Sequence, residues 1–187
     1  FNVWYPEDKK TARNLLGLEE NIKIILFSSI SGKSPRKGFD LLNESLSYLD
    51  EKFQLVISGD QIPKNLSYEN TIFFDKPSDI ITRRLLYSAA DVLAAPSVLE
   101  AFGLVALEAA ACETPSVIFE NNGISEIIEH KKNGYVAKNL DVKDYARGIK
   151  WILEEFNSVN VRENVKDRFD INKISDKYFE LYKSLQK

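Results

Sequence analysis

Methionine is absent from the 187 residues, and cysteine and histidine occur once each, as Cys112 and His130. A single thiol excludes a disulfide framework and a cysteine-based metal site, and gives no sign of an oxidising compartment. Cys112 lies in an apolar stretch and reads as a small core residue. His130 falls in the polar run from Glu129 to Gly134, which reads as a solvated helix end and not as a catalytic centre. No apolar run approaches the roughly 20 residues of a membrane span, and no signal peptide opens the chain, so it reads as cytoplasmic. The formal charge of −3 comes without a basic stripe, which argues against a nucleic-acid polymer as partner but leaves nucleotides, bound by local groups, open. With no initiator methionine and an abrupt start at Phe1, the expectation is a piece of a longer protein.

What is present is enough for one full domain with a large core: 44% hydrophobic residues and 28% charged ones. Apolar runs at Lys23 to Ser29, Phe53 to Ser58, Thr71 to Phe74, Asp91 to Ala95, Pro115 to Phe119 and Tyr135 to Ala137 are mostly unbroken, as expected of strands covered on both faces. Helical patterns fill the gaps, at Glu7 to Leu16 (ended by Gly17), Lys37 to Leu49, Asp79 to Ser88, Leu104 to Cys112, Ile124 to Glu129 and Val142 to Phe156. The alternation predicts an α/β fold, a doubly wound, Rossmann-like parallel sheet of about six strands with helices on both faces. No repeat or linker divides residues 1–187, so one domain is expected. A terminal helix over residues 170–187 carries an apolar stripe of Ile171, Ile174, Tyr178, Leu181, Tyr182 and Leu185, to be packed either on this domain or on a missing neighbour.

Two acids punctuate the otherwise apolar run from Pro96 to Cys112. Gly103 can start a helix whose first residues are Leu104 and Val105, which places Glu100 in the loop before it and Glu108 inside it. A helix start offers unpaired amides and a positive dipole end suited to phosphate, while carboxylates suit sugar hydroxyls, so a phosphorylated sugar would use both. The plainer alternative is that Glu108 pairs with a buried Lys or Arg.

In open parallel sheets the ligand lies beyond the carboxyl ends of the strands. Ser29 falls there after the first strand, Gly59 after the second, and Lys76 and Pro77 after the third. Gly32, Lys33 and Ser34 superficially match the end of a P-loop, but Phe27 stands where the upstream glycine is required. Arg36 and Lys37, expected at the start of the next helix, can supply positive charge to a diphosphate; as mere surface cations they would oppose the helix dipole. Asn121 and Asn122 open a further turn on the same edge. With no Asp-x-Asp pair and no His or Cys cluster, no metal site is expected, and protein groups must neutralise any diphosphate.

Glu100 and Glu108 enclose seven residues, and this spacing resembles the E-x7-E signature of retaining glycosyltransferases with the GT-B fold, especially family GT4 (glycosyltransferase group 1). Leu86 to Asp91, Pro96-Ser97, Glu100 to Gly103 and Asn133 to Val136 are similar to the family pattern in its order and spacing, over about Pro6 to Phe156. The resemblance implies a C-terminal, donor-binding half of a bacterial polysaccharide or lipopolysaccharide enzyme. This would be a metal-independent hexosyltransferase without cofactor, using a nucleoside-diphosphate sugar and a saccharide or lipid-linked acceptor. It further implies Lys37 and Arg36 on the diphosphate and Glu108 on the ribose. Glu100 would meet the transferred sugar, backbone amides around Phe102, Gly103, Leu104 and Val105 the phosphates, and Lys76 with Pro77 the base. The acceptor half would be the missing N-terminal domain, without which the fragment should be inactive, and peripheral attachment at the inner face of a membrane would come through the full-length protein. A sugar-nucleotide epimerase or a non-catalytic nucleotide-sugar-binding module remains the alternative; a phosphorylase lacks its cofactor-lysine motif here. Two departures stand out: the family's Gly-Arg pair after the first strand is replaced by Ser28, Ser29 and Ile30, and Glu113 occupies a small-residue position that is costly if the turn needs positive φ.

Overall fold

A computed structural model describes residues 1–29, 34–62, 66, 68–120, 123–157 and 160–185. Ile30, Ser31, Gly32 and Lys33, and Asn121 with Asn122, lie outside the described residues. Six parallel strands form one sheet: β1 (Lys23–Ser29), β2 (Phe53–Gly59), β3 (Thr71–Asp75), β4 (Val92–Ala95), β5 (Ser116–Phe119) and β6 (Gly134–Ala137). Their spatial order is β3-β2-β1-β4-β5-β6, the doubly wound arrangement expected from the alternating pattern. The register sets Ser29 opposite Gly59, and Gly59 opposite Asp75, so the strand ends that carry the candidate site are level.

Unbroken apolar strands feed two cores. In β1, Ile24 and Leu26 join one core while Ile25 and Phe27 join the other, because successive side chains point to opposite faces. The first core is covered by α1 (Lys9–Leu16), α3 (Ile80–Ala89), α4 (Leu104–Ala111) and α6 (Val161–Phe169); the second by α2 (Phe39–Leu46) and α5 (Val142–Glu154). In α4, Ala106, Ala109 and Ala110 are buried, and their small side chains bring the helix close to the sheet. Asp8, Asp79 and Asp141 cap α1, α3 and α5 by accepting from backbone amides of the first turn.

Several expectations need correction. Lys37 does not start α2: it ends a 3-10 turn, Pro35–Lys37, and Gly38 with φ 70° separates that turn from Phe39, because the left-handed residue breaks a continuous helix. The helix expected over Ile124 to Glu129 is only a 3-10 turn, Gly123–Glu126. His130 forms an isolated bridge to Gly134 rather than a helix end, and its Nδ1 accepts the Val136 amide at 3.1 Å. α6 was not expected, because only Val161 and Val165 among its residues are buried and the pattern is mostly polar. Glu113 has φ 64°, so the suspected strain is real; its carboxylate accepts from the Arg162 amide in the first turn of α6, at 3.4 Å.

The terminal helix α7 (Ile171–Leu185) has no buried residue, and Ile171, Tyr182 and Leu185 are 70%, 61% and 71% exposed. Of the stripe only Ile174 is half-buried, and Ile171, Ile174 and Tyr178 border a groove shared with Phe102, Leu104 and Leu107 of this domain. Among the described residues no helix is long and apolar enough to cross a membrane.

Gly38 also has no room for a side chain, since a β-carbon there would run into the carbonyl of Pro96. Gly17 has a similar φ of 66° but open space around it. Gly17→Ala is predicted to cost about 1 kcal/mol, the left-handed penalty alone. Gly38→Ala should cost a further ~1–3 kcal/mol for the backbone collision, read as the difference in urea midpoints of the two variants.

Candidate functional site

β1 and β4 are neighbours, yet the chain leaves β1 toward α2 over one core and leaves β4 toward α4 over the other. A crevice therefore opens at their carboxyl ends, the place where doubly wound sheets take ligands. There an open cavity of about 340 Å³ is bordered by Ser28 and Ser29 of β1, Ser58 and Gly59 of β2, and Lys76 with Pro77 beyond β3. Arg83 of α3 and Val105 of α4 complete its wall. Small strand-end residues leave this space, and Gly59 is compulsory in size because a β-carbon would strike the Ser29 carbonyl. The Gly59 carbonyl in turn accepts the Lys76 amide at 2.7 Å, which anchors the loop after β3.

The first acid meets its predicted cation. Lys37 Nζ donates to Glu100 Oε2 at 2.6 Å, with both side chains largely buried. Burial opposes ionisation of Glu100, but the hydrogen bond and charge of Lys37 outweigh it and hold the carboxyl below its ordinary 4.5. Arg36 is exposed: its carbonyl accepts the Val98 amide at 2.9 Å and its guanidinium reaches the Leu99 carbonyl at 3.4 Å. Lys37, Arg36 and Glu100 thus sit at the same sheet edge but do not line the cavity. Arg36 and Lys37 lie in the turn before α2 rather than in its first turn, with Gly38 as the N-cap of the helix.

The second acid is paired with an arginine, as the plainer reading of Glu108 held. Arg83 Nη2 donates to Glu108 Oε2 at 2.6 Å and the Tyr87 hydroxyl donates to the same oxygen at 2.8 Å. Burial pushes the Glu108 carboxyl above its ordinary value despite both donors, and pushes the Tyr87 phenol up as well. Glu108 Oε1 has no hydrogen-bond partner among the described residues. Sequence reasoning missed Arg83; the available signal was an arginine one helical turn before Tyr87, in a helix that also carries Thr82, Arg84 and Ser88.

Gly103, at φ 94°, caps α4 without any side-chain hydrogen bond, which leaves the first-turn amides of Leu104 and Val105 without a capping side chain. The Leu104 and Phe102 side chains face elsewhere: they border a separate groove beside α6 and α7, where Phe102 stands edge-on to Phe169 at 5.7 Å. The structure therefore gathers Ser29, Gly59, Lys76, Pro77 and Val105 around one cavity. Glu108 is joined to it through Arg83, and Lys37, Arg36 and Glu100 form an adjacent cluster. Burial pushes the Cys112 thiol up to about 12, so it stays protonated and inert. No group of three or more His, Cys, Asp or Glu able to hold a metal occurs among the described residues.

Strand order and crevice together define a Rossmann-like α/β fold that matches GT-B glycosyltransferase neighbours. The chain belongs to the glycosyl transferases group 1 family, whose model matches residues 8–168. An uncharacterized glycosyltransferase of Methanocaldococcus jannaschii is 29% identical over 192 aligned positions, covering 95% of this chain and 49% of that protein. Among solved structures, sucrose-phosphate synthase of Thermosynechococcus elongatus superposes with a TM-score of 0.84 at 27% identity, over 98% of this chain and 50% of that one. Anabaena HepE in complex with UDP-glucose gives a TM-score of 0.81 at 22% identity, over 98% of this chain and 55% of that one. The chain spans about half the length, or less, of the curated relatives it matches.

The lowered pKa of Glu100 sets a sign for acid stability. Its folded pKa lies below the unfolded 4.5, so the stabilisation is full above that value and is lost as pH falls through the lowered one. Urea unfolding followed from about pH 7 to about pH 3 should therefore show a shallower acid loss in Glu100→Gln than in the parent. Equal slopes would mean that the Lys37 pair contributes nothing.

Proposed function

We propose that this chain is the donor-binding half of a retaining hexosyltransferase that moves a sugar from a nucleoside diphosphate to a saccharide or lipid-linked acceptor, without a metal. The observation that carries this reading is the separate holding of two acids around one uncapped helix start. Glu100 lies in the loop before α4 on Lys37, and Glu108 lies within α4 on Arg83 and Tyr87. That HepE was crystallised with UDP-glucose supports a nucleotide-sugar donor. In this reading the ribose hydroxyls bind Glu108 Oε1, whose companion oxygen is already engaged. The cavity among Ser29, Gly59, Lys76 and Pro77 receives the nucleoside, and the amides of Phe102, Gly103, Leu104 and Val105 face the phosphates.

Breaking the bond between sugar and diphosphate leaves negative charge on the phosphate and positive character on the anomeric carbon. The α4 dipole, Lys37 and Arg36 stabilise the former. A diphosphate carries more charge than a carboxylate, so it competes with Glu100 for Lys37 while Glu100 meets the sugar. The acceptor hydroxyl attacks from the face the diphosphate leaves and gives its proton to the departing phosphate oxygen, which retains configuration; neither acid acts as a covalent nucleophile. The exposed stripe of α7 is the surface we assign to the N-terminal acceptor half of a longer, cytoplasmic protein, whose contact with the inner face of a membrane would run through that half.

Calorimetry of UDP and GDP in the presence of EDTA tests the assignment. One of them should bind the chain, and Glu108→Ala and Lys37→Ala should each weaken it by about tenfold or more, the worth of a charged hydrogen bond. Unchanged binding in both variants rejects the site. The chain by itself should transfer no sugar; restored transfer on adding the N-terminal half, against none, separates the enzyme from a binding module.

A further inference from the structure

The segment before Asp8 precedes the family match, which begins at residue 8, yet it packs against two residues of the candidate site, Arg83 and Tyr87. The Trp4 ring stands edge-on to Tyr87, with centroids 5.7 Å apart and planes at 66°. The Arg83 guanidinium lies over the same indole, 5.0 Å from its centroid. These are the two residues whose donors converge on Glu108 Oε2. Trp4 does not line the cavity, but it touches both groups that hold the acid.

The segment is tied at several points. Arg84 donates to the Glu7 carboxylate at 3.0 Å and to the Val3 carbonyl at 3.2 Å, and its guanidinium stacks over Tyr5 at 3.8 Å. From α6, Arg162 donates to the carbonyls of Trp4 at 2.6 Å and Phe1 at 3.0 Å. The indole is consequently a fixed surface. Arg83 needs one, because its side chain is one-third exposed at 33% and a solvated arginine samples many rotamers. A cationic fork resting on an aromatic face keeps its charge while losing that freedom.

We propose that Trp4 is a positioning residue for the nucleotide grip, holding Arg83 and Tyr87 on one oxygen of Glu108 so that the other is presented to ribose hydroxyls. The proposal rests on the reading of Glu108 given above. It makes the N-terminal segment, the part of the chain that would lead from the acceptor half, a component of donor recognition.

A test that isolates the hydroxyls separates positioning from mere packing. UDP and GDP, each beside its 2′,3′-dideoxy analogue, are titrated into the protein and into Trp4→Leu, Trp4→Phe and Arg83→Met, with thermal unfolding recorded for each. Trp4→Leu keeps apolar bulk without a π face, and Trp4→Phe keeps the face. The parent should prefer the ribonucleotide by about tenfold. In Trp4→Leu that preference should fall to about threefold or less while affinity for the dideoxy analogue stays level; Arg83→Met should lose the preference too and also bind both nucleotides more weakly, since Arg83 borders the cavity, and Trp4→Phe should keep most of the preference. If Trp4→Leu retains the full preference, or weakens both nucleotides equally, the indole only packs and the proposal is overturned. If the parent itself shows no preference for the ribonucleotide, the ribose role of Glu108 falls first, and the proposal with it.

Discussion

The close approach of Gly38 to the Pro96 carbonyl is the constraint from which the site follows. It joins the turn before α2 to the loop after β4, two segments that serve opposite faces of the sheet. Once they touch, the Val98 amide reaches the Arg36 carbonyl at 2.9 Å and the Lys37 ammonium reaches Glu100 at 2.6 Å. The other flank of Glu100 is clamped too: its carbonyl accepts the Gly123 amide at 2.9 Å, and a β-carbon on Gly123 would collide with the Ala101 carbonyl. Glycine appears at these points because only a residue without a side chain lets two backbones approach so closely.

The two acids are separated electrostatically as well as in space. Lys37 keeps Glu100 ionised more readily than a free glutamate, whereas burial makes Glu108 harder to ionise even with Arg83 and Tyr87 in place. One acid is thus held ionised by a lysine, and the other is held on one oxygen by an arginine and a tyrosine against the cost of its burial.

Strands were the most legible part of the chain. Lys23–Ser29 was read residue for residue, and the others differ by a residue at one end, because a fully covered parallel strand is an unbroken apolar run bounded by polar turns. Short polar elements were not legible: α6 buries only Val161 and Val165, and the Pro35–Lys37 turn could be told from the start of α2 only once Gly38 was seen at positive φ. Of the site, the residues at strand ends were found because strand ends are found. Arg83, Tyr87 and Trp4 escaped as site residues because a cation–carboxylate pair between α3 and α4, and an indole lying on both partners, leave no spacing in the sequence.

The order of residues thus determined the alternation of strands and helices, the identity of the family and the pair of acids at their spacing, since each is a local or periodic property of the chain. Which cation meets which acid was decided only by the tertiary structure. Lys37 lies 63 positions from Glu100, Arg83 lies 25 from Glu108, and Arg36 beside Lys37 was left in solvent. Charge pairing at such separations depends on the distance between side chains in space, and that distance is set by how the sheet's twofold winding stacks α3 against α4 and folds one loop over another.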